Sequence, residues 1–142
     1  MRLAVQAMAS EVQEVPSTAT FSHWVHTACA HLPSTMEQPE TLTIRIVDSE
    51  EIARLNTTYR NRPGPTNVLA FPPEDIALCG SLVISEATEQ HKAVQAHWAH
   101  LTVHAVLHLC GYDHDVPDAA AVMEQQETEI LLALGFSNPY TD

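Results

Sequence analysis

Residues 104–114 constrain this chain more than any other segment, because they follow the pattern H-x-x-x-H-x-x-G-x-x-H. The apolar residues around the first two histidines predict a buried helix. On such a helix, His104 and His108 lie on one face and can point at one ion. Gly111 can adopt the left-handed conformation that ends helices, and His114 can then return toward the same ion. The spacing therefore predicts a metal site on a central helix and the turn after it.

Three histidines leave the fourth position of a tetrahedral ion to water, which is typical of catalytic rather than structural zinc. Imidazole also suits Ni²⁺ and Co²⁺, and zinc is the default expectation. The same spacing occurs in metzincin proteases, which carry a glutamate general base directly after the first histidine. Ala105 stands at that position and cannot take a proton. The segment thus predicts a metal tripod and weighs against a metallopeptidase-like zinc hydrolase, which stays as one alternative.

The rest of the chain alternates predicted strands and helices. Alternating or continuous apolar runs predict strands at residues 2–8, 42–47, 67–71 and 78–84, with Gly80 as a bulge in the last. Helical periodicity and capping residues predict helices at residues 21–32, after Asp48, from Ser85, at 94–110 and at 117–134. This order predicts an α/β (α+β) fold in one small domain over residues 1–142, with a mixed sheet of about four strands.

The charge balance limits the partners that the chain can bind. Six Lys and Arg residues face 18 Asp and Glu residues, which gives a net charge of −12 with histidine neutral. Such a chain repels nucleic acid and anionic membranes at long range, so nonspecific polyanion binding is disfavoured. The sequence has neither a membrane-span pattern nor the apolar core of a signal peptide. With three widely spaced cysteines, we expect reduced thiols and a cytoplasmic location.

Several motifs together resemble the YbeY family of bacterial endoribonucleases, the rRNA maturation factors. Five segments carry the resemblance: residues 55–60 (L-N-x-x-Y-R), 65–72 (P-T-D-V-L-S-F-P), 80–85 (G-D-I-x-I-S), 104–114 (H-G-x-L-H-L-x-G-Y-D-H) and the tail at 127–140. The resemblance covers roughly residues 40–140, and its combination of motifs is highly specific.

The resemblance implies a small α/β fold with a mixed sheet, and one zinc ion bound by His104, His108 and His114. It also implies a catalytic role for Arg60 of the L-N-x-x-Y-R motif, whose guanidinium fork can grip a phosphate. By its position alone, Arg60 could equally be a cation that favours a helix end. The implied activity is a zinc-dependent, single-strand-specific endoribonuclease in 3′-end maturation of small-subunit (16S) rRNA and in ribosome quality control.

The implied partners are single-stranded rRNA and the small ribosomal subunit or its assembly proteins, with no membrane and with the chain as a monomer. Arg62 adds to a local positive patch, but so few cations could not hold a long duplex. A noncatalytic, zinc-stapled ribosome-assembly factor is the second alternative, favoured by the acidic charge and by the lack of a convincing general base. The nucleophile, a water molecule or the 2′-hydroxyl of RNA, stays open.

Four positions depart from the family's pattern: Asn67 for Asp, Ala70 for Ser, Ser81 for Asp and Ala105 for Gly. His100 could orient a ligand, shuttle protons or face solvent, and Asp113 could bind a ligating imidazole or cap the turn. Cys110 is expected to be a small core residue. Carboxylates of the last helix are expected on its solvated side: Glu124, Glu127 and Glu129.

Overall fold

The computed structural model describes residues 2–7, 15–113 and 115–140. Within these residues, the strands are β1 (Arg2–Ala7), β2 (Thr41–Val47), β3 (Val68–Phe71) and β4 (Asp75–Cys79). The helices in the same ranges are α1 (Thr18–His31), α2 (Ser49–Arg60), α3 (Gly80–Glu89), α4 (Val94–Leu109) and α5 (Pro117–Ala133). The strands form one sheet in the order β1-β2-β4-β3. Strand β2 is parallel to β1 and to β4, and β3 is antiparallel to β4, which confirms the predicted mixed sheet.

The fourth strand and the helix after it begin earlier than predicted. We expected a strand over residues 78–84 with a bulge at Gly80, whereas β4 ends at Cys79 and Gly80 begins α3. Val83 and Ala87 are buried four residues apart on one face of that helix. A short apolar run fits both a strand and a helix, and pairing with β2 and β3 decides where the strand ends.

The sheet separates two apolar layers. Leu42, Ile44 and Ile46 alternate along β2 and belong to the larger cluster, which includes residues of α1, α4 and α5. On the other face, Ala77 of β4 packs with Ile52 of α2 in a smaller cluster. This alternation follows from the two-residue period of a strand, and it leaves α2 alone on its side of the sheet.

Helix α4 lies at the centre of the larger layer, where it packs against α1, α3, α5 and β3. Its Trp98 is fully buried, and the ring meets that of Phe21 edge to face at 6.1 Å between centroids. Because both neighbours of α4 in the chain also cover it, the helix is rigidly placed. Over the described part of the chain, no helix combines the length and the apolarity needed to cross a membrane.

Candidate active site

Four histidines follow one face of α4, at positions 97, 100, 104 and 108. Steps of three and four residues keep side chains on the same face of a helix. The rings of His104 and His108 are neighbours, with 4.7 Å between centroids and an interplanar angle of 82°. The structure therefore brings together two of the three residues predicted to bind metal. His114, the third, lies outside the described residues.

The turn after α4 holds the ring of His108. Gly111 has φ +106°, and the amide of Tyr112 donates to the carbonyl of Leu107 at 3.0 Å, which together make a Schellman ending. This confirms the predicted glycine stop. The carbonyl oxygen of Tyr112 then lies 3.1 Å from Nδ1 of His108. Because a carbonyl can only accept, Nδ1 of His108 carries the proton of the neutral ring.

The ring of His104 is held from α5. A carboxylate oxygen of Glu127 accepts a hydrogen bond from Nδ1 of His104, and the hydroxyl of Tyr140 donates to the other oxygen. Glu127 is 0% exposed, so its placement on the solvated side of the last helix was wrong. Burial alone raises the pKa of Glu127, but the donors around its carboxylate outweigh burial and lower that pKa to about 2.

These two imidazoles fit a metal ion by the chemistry of their nitrogens. Each uses Nδ1 to donate to a fixed protein acceptor, so each can coordinate a metal only through Nε2. A carboxylate or a backbone carbonyl behind a ligating histidine is the usual way in which proteins set its tautomer. Within residues 2–7, 15–113 and 115–140 alone, no group of three or more potential ligand side chains could hold a metal.

A cavity of about 440 Å³ lies beside the histidine face. Arg60, the last residue of α2, lines it together with Arg62 and the two histidines 104 and 108. None of its described lining residues is Asp or Glu, although the whole chain carries a net charge of −12. The others are Asn56, Pro63, Pro65, Thr66, Asn67, Val68, Leu69, Ala70, Pro72 and Ala105. The cavity is thus a cationic site in an acidic protein.

The loop that carries Arg62 is held against α2. Buried Asn56 donates from its side-chain amide to the carbonyl of Gly64 at 3.0 Å and accepts from the amide of Arg62 through its own carbonyl at 3.2 Å. Thr57 donates from its hydroxyl to the carbonyl of Arg62 at 3.2 Å. These hydrogen bonds explain how a loop rich in proline and glycine keeps one conformation at the cavity.

Other predicted residues lie around this site. His100 is on the histidine face, with Nε2 at 3.3 Å from the hydroxyl of Tyr140. Asp113 accepts from the amide of Asp115 at 3.2 Å, which is a turn-capping contact. Ser81, at the start of α3, does not line the cavity. Cys110 is buried in the larger apolar cluster, as expected.

The comparisons with known proteins agree with this geometry. The protein-family model described as endoribonuclease YbeY matches residues 5–135. The chain belongs to the YbeY family. A curated member named endoribonuclease YbeY, from Coxiella burnetii (strain Dugway 5J108-111), is 43% identical over 145 residues, which cover 94% of this chain and 95% of that protein.

The YbeY assignment is matched by a fold likeness to a solved structure. The solution structure of TM1509 from Thermotoga maritima covers 99% of each chain with a TM-score of 0.57 and 18% identity. At that identity the likeness concerns the fold alone. The resemblance read from the five sequence motifs is confirmed at the level of family and fold.

Sequence reasoning missed Glu127 and Tyr140 as parts of this YbeY-family site. A signal for Glu127 was present in the sequence, because Met123, Glu127 and Ile130 share one helix face. A carboxylate on an otherwise apolar stripe needs a buried donor. The polarity of Glu127 and its neighbour Glu124 suggested a wet face instead. No comparable local pattern marks Tyr140.

Proposed function

We propose that this chain is a metal-dependent endoribonuclease that cleaves single-stranded RNA. Its proposed role is 3′-end maturation of small-subunit (16S) rRNA and ribosome quality control. The name of its Coxiella burnetii relative supports the activity. The observation that carries the proposal is the cavity itself, in which Arg60 and Arg62 face the two histidines and no described carboxylate intervenes.

Zinc is the proposed cofactor, with Nε2 of His104, Nε2 of His108 and His114 as its ligands. The chemistry that such an ion supplies when bound is Lewis-acid polarisation of a phosphoryl oxygen. The donor set supports this proposal, because both described imidazoles have Nδ1 committed to an acceptor and present neutral nitrogen chemistry at Nε2. Nickel and cobalt are suited by the same nitrogens.

Arg60 is the proposed catalytic residue. It ends α2, is exposed, and reaches the cavity from a helix whose other residues pack on the far side of the sheet. A guanidinium can donate two parallel hydrogen bonds to a phosphate and stabilise the negative charge that builds up during cleavage. Arg62 would bind a neighbouring phosphate and hold the strand in register.

The cavity also bears on the two alternatives. Ala105 is buried and lines the cavity at the position where a metallopeptidase needs its glutamate base. Since no described lining residue is a carboxylate, a metallopeptidase is disfavoured. A noncatalytic assembly factor would need the zinc only for folding, and it gives no reason for two arginines in the cavity.

The proposed partners are single-stranded rRNA and the small subunit or its assembly proteins, with the chain acting as a monomer. The net charge of −12 supports delivery of RNA by such a partner, because long-range attraction is lacking. We also propose a cytoplasmic location. The three thiols, Cys29, Cys79 and Cys110, are buried and unpaired, which suits a reducing compartment.

The test is single-turnover cleavage of an RNA that carries the 3′ end of small-subunit rRNA. The full chain is measured as purified, after chelation, and after zinc is restored, beside His108→Ala and the matched control His23→Ala on the exposed side of α1. We expect chelated protein and His108→Ala to lose zinc and at least 99% of the cleavage rate, with His23→Ala unchanged.

Each other outcome identifies a different function. Full cleavage by zinc-free protein would exclude a metal-dependent nuclease. A folded, zinc-loaded chain that never cleaves RNA, even with small subunits added, would favour the assembly factor. Cleavage of a peptide library by the same preparation would favour the metallopeptidase.

A further inference from the structure

The carboxylate of Glu127 joins the histidine face to the end of the chain. Its Oε1 accepts from Nδ1 of His104, and its Oε2 accepts from the hydroxyl of Tyr140 and lies 3.6 Å from Nε2 of His100. The side chain of Glu127 is 0% exposed. A buried carboxylate surrounded by donors is held in one orientation, because any rotation would leave it desolvated and unpaired.

The segment that carries Tyr140 is anchored independently of this carboxylate. Gly135 has φ +93°, and the amide of Phe136 donates to the carbonyl of Leu131 at 2.9 Å, so α5 ends in a second Schellman motif. The ring of Phe136 packs edge-on against Trp24, with centroids 6.2 Å apart. The tail is thereby folded back along α4, which carries His100 and His104.

A further contact fixes the last turn of this tail. Nζ of Lys92, in the turn between α3 and α4, donates to the carbonyl of Pro139 at 3.3 Å. The ring of Tyr140 also meets the ring of His100 edge to face, at 5.5 Å between centroids. Burial and the bond to Glu127 both raise the pKa of Tyr140, so its phenol stays protonated and donates.

We propose that Glu127 and Tyr140 are positioning residues that set the tautomer and orientation of His104, so that the docked C-terminal tail is part of the metal site. The inference rests on the metal role proposed above for His104. Glu127 accepts the Nδ1 proton and thereby makes Nε2 the coordinating nitrogen. Tyr140 saturates the second oxygen and prevents the carboxylate from turning away from His104.

The contact on His104 differs from the brace on His108. His108 is held by a backbone carbonyl of its own turn, so its orientation is set as soon as α4 ends. His104 is held by a side chain from another helix, which is in turn held by the tail. Loss of the tail contact should therefore impair one ligand and leave the other intact.

The experiment compares full-length wild type with Glu127→Gln and Tyr140→Phe. Glu129→Gln is the matched control on α5, because that carboxylate is partly exposed and contacts only His31 among the described residues. Tyr59→Phe is the matched loss of an exposed hydroxyl. Three quantities are measured: the ¹⁵N NMR tautomer of His104 in zinc-free protein, zinc affinity by competition with a chromophoric chelator, and the melting temperature.

In zinc-free wild type, we expect His104 to be in the Nδ1–H form. Glu127→Gln should weaken zinc binding by 10- to 100-fold, the usual loss when such a supporting carboxylate is removed, and should mix the two tautomers of His104. Tyr140→Phe should weaken binding by about tenfold and move the same resonances. Both controls should match wild type, and the His108 tautomer should be the same in all five proteins.

The inference is overturned if wild-type His104 is in the Nε2–H form, or if Glu127→Gln and Tyr140→Phe bind zinc as wild type does. A lower melting temperature with unchanged tautomer and affinity would make both residues merely structural. Wild type that binds no zinc at all would instead overturn the proposed metal function. Failure of RNA cleavage alone leaves these readouts unaffected, since none of them uses RNA.

Discussion

The side-chain amide of Asn67 donates to the carboxylate of Glu86, with 3.0 Å between Nδ2 and Oε1. The same oxygen lies 2.8 Å from Nε2 of His97, which is 4% exposed. Glu86 therefore ties the residue before β3, which lines the cavity, to the first histidine of α4. The site is supported at both ends of its histidine face, by Glu86 near the start of α4 and by Glu127 farther along.

Asn67→Asp should destabilise the protein at neutral pH. An ionised aspartate can only accept, so it would lose the hydrogen bond to Glu86 and repel that carboxylate. We expect the free energy of unfolding to fall by about 1 to 3 kcal/mol at pH 7. Urea denaturation measures it, with Asn67→Ala as the control that removes the hydrogen bond without adding charge.

The comparison between these two variants carries the test. Asn67→Asp should be the less stable of the two at pH 7, and the difference should shrink near pH 4 as carboxylates become protonated. If Asn67→Asp is as stable as wild type, the amide contributes nothing through Glu86.

His97 should make stability depend on pH on the acid side of neutrality. Burial lowers the pKa of His97 below its ordinary value of 6.5 and outweighs the opposing pull of Glu86. A second proton would have to sit on Nδ1, which is buried and has no hydrogen-bond partner among the described residues. The neutral ring is therefore the folded form.

Because the unfolded chain takes up this proton more readily than the folded one, the stabilisation is complete above pH 6.5 and declines as pH falls through the lowered pKa. Urea denaturation between pH 8 and pH 5 should show His97→Gln losing less stability on acidification than wild type. His23→Gln, on an exposed position of α1, should follow the wild-type curve. Parallel curves for wild type and His97→Gln would refute the assignment.

Arg60→Ala should separate catalysis from folding. Arg60 is an exposed residue at the end of α2, so its loss should change the melting temperature and the zinc content little. Single-turnover cleavage should fall by about 100-fold or more, the usual cost of one donor to a developing charge. Arg60→Lys should recover only part of the rate, since an ammonium lacks the planar fork.

Arg54→Ala is the matched control for Arg60, because Arg54 is exposed on the same helix, pairs with Glu51 and does not line the cavity. It should cleave at the wild-type rate. If Arg60→Ala also cleaves normally, Arg60 is a helix-end cation. If it unfolds or loses zinc, the arginine is structural.

Free protein should bind random single-stranded RNA weakly and with a shallow salt dependence. Two arginines in the cavity would release about one to two counterions, so the logarithm of the association constant should fall with log salt at a slope of about −1.4. Fluorescence anisotropy across ionic strengths measures it. Arg60→Ala with Arg62→Ala should abolish the slope, and Arg54→Ala should keep it.

Tight, sequence-independent binding at moderate salt would contradict this prediction. It would mean that a second cationic surface exists and that no partner is needed to deliver the RNA. Addition of small ribosomal subunits should raise the cleavage rate, because the subunit supplies the long-range attraction that the chain lacks.

Features that depend on neighbours in the chain could be predicted from the sequence. Asp48 caps α2 by accepting from the amide of Glu51 at 2.8 Å, and Gly111 ends α4 in the left-handed conformation. The spacing of His104 and His108 placed both rings on one face. Each of these follows from helix geometry over a few residues, so sequence periodicity alone determines it.

What the tertiary structure decided involves residues that meet only across elements. The strand β4 ends at Cys79 because its partners β2 and β3 are there to pair with it, and the apolar run beyond it is free to become helix. Arg60 and His104 share a cavity because α2 and α4 lie on opposite faces of the sheet and approach each other beyond β3. Glu127 is buried because His104 and Tyr140 satisfy its oxygens, and a carboxylate without those donors would have stayed in water.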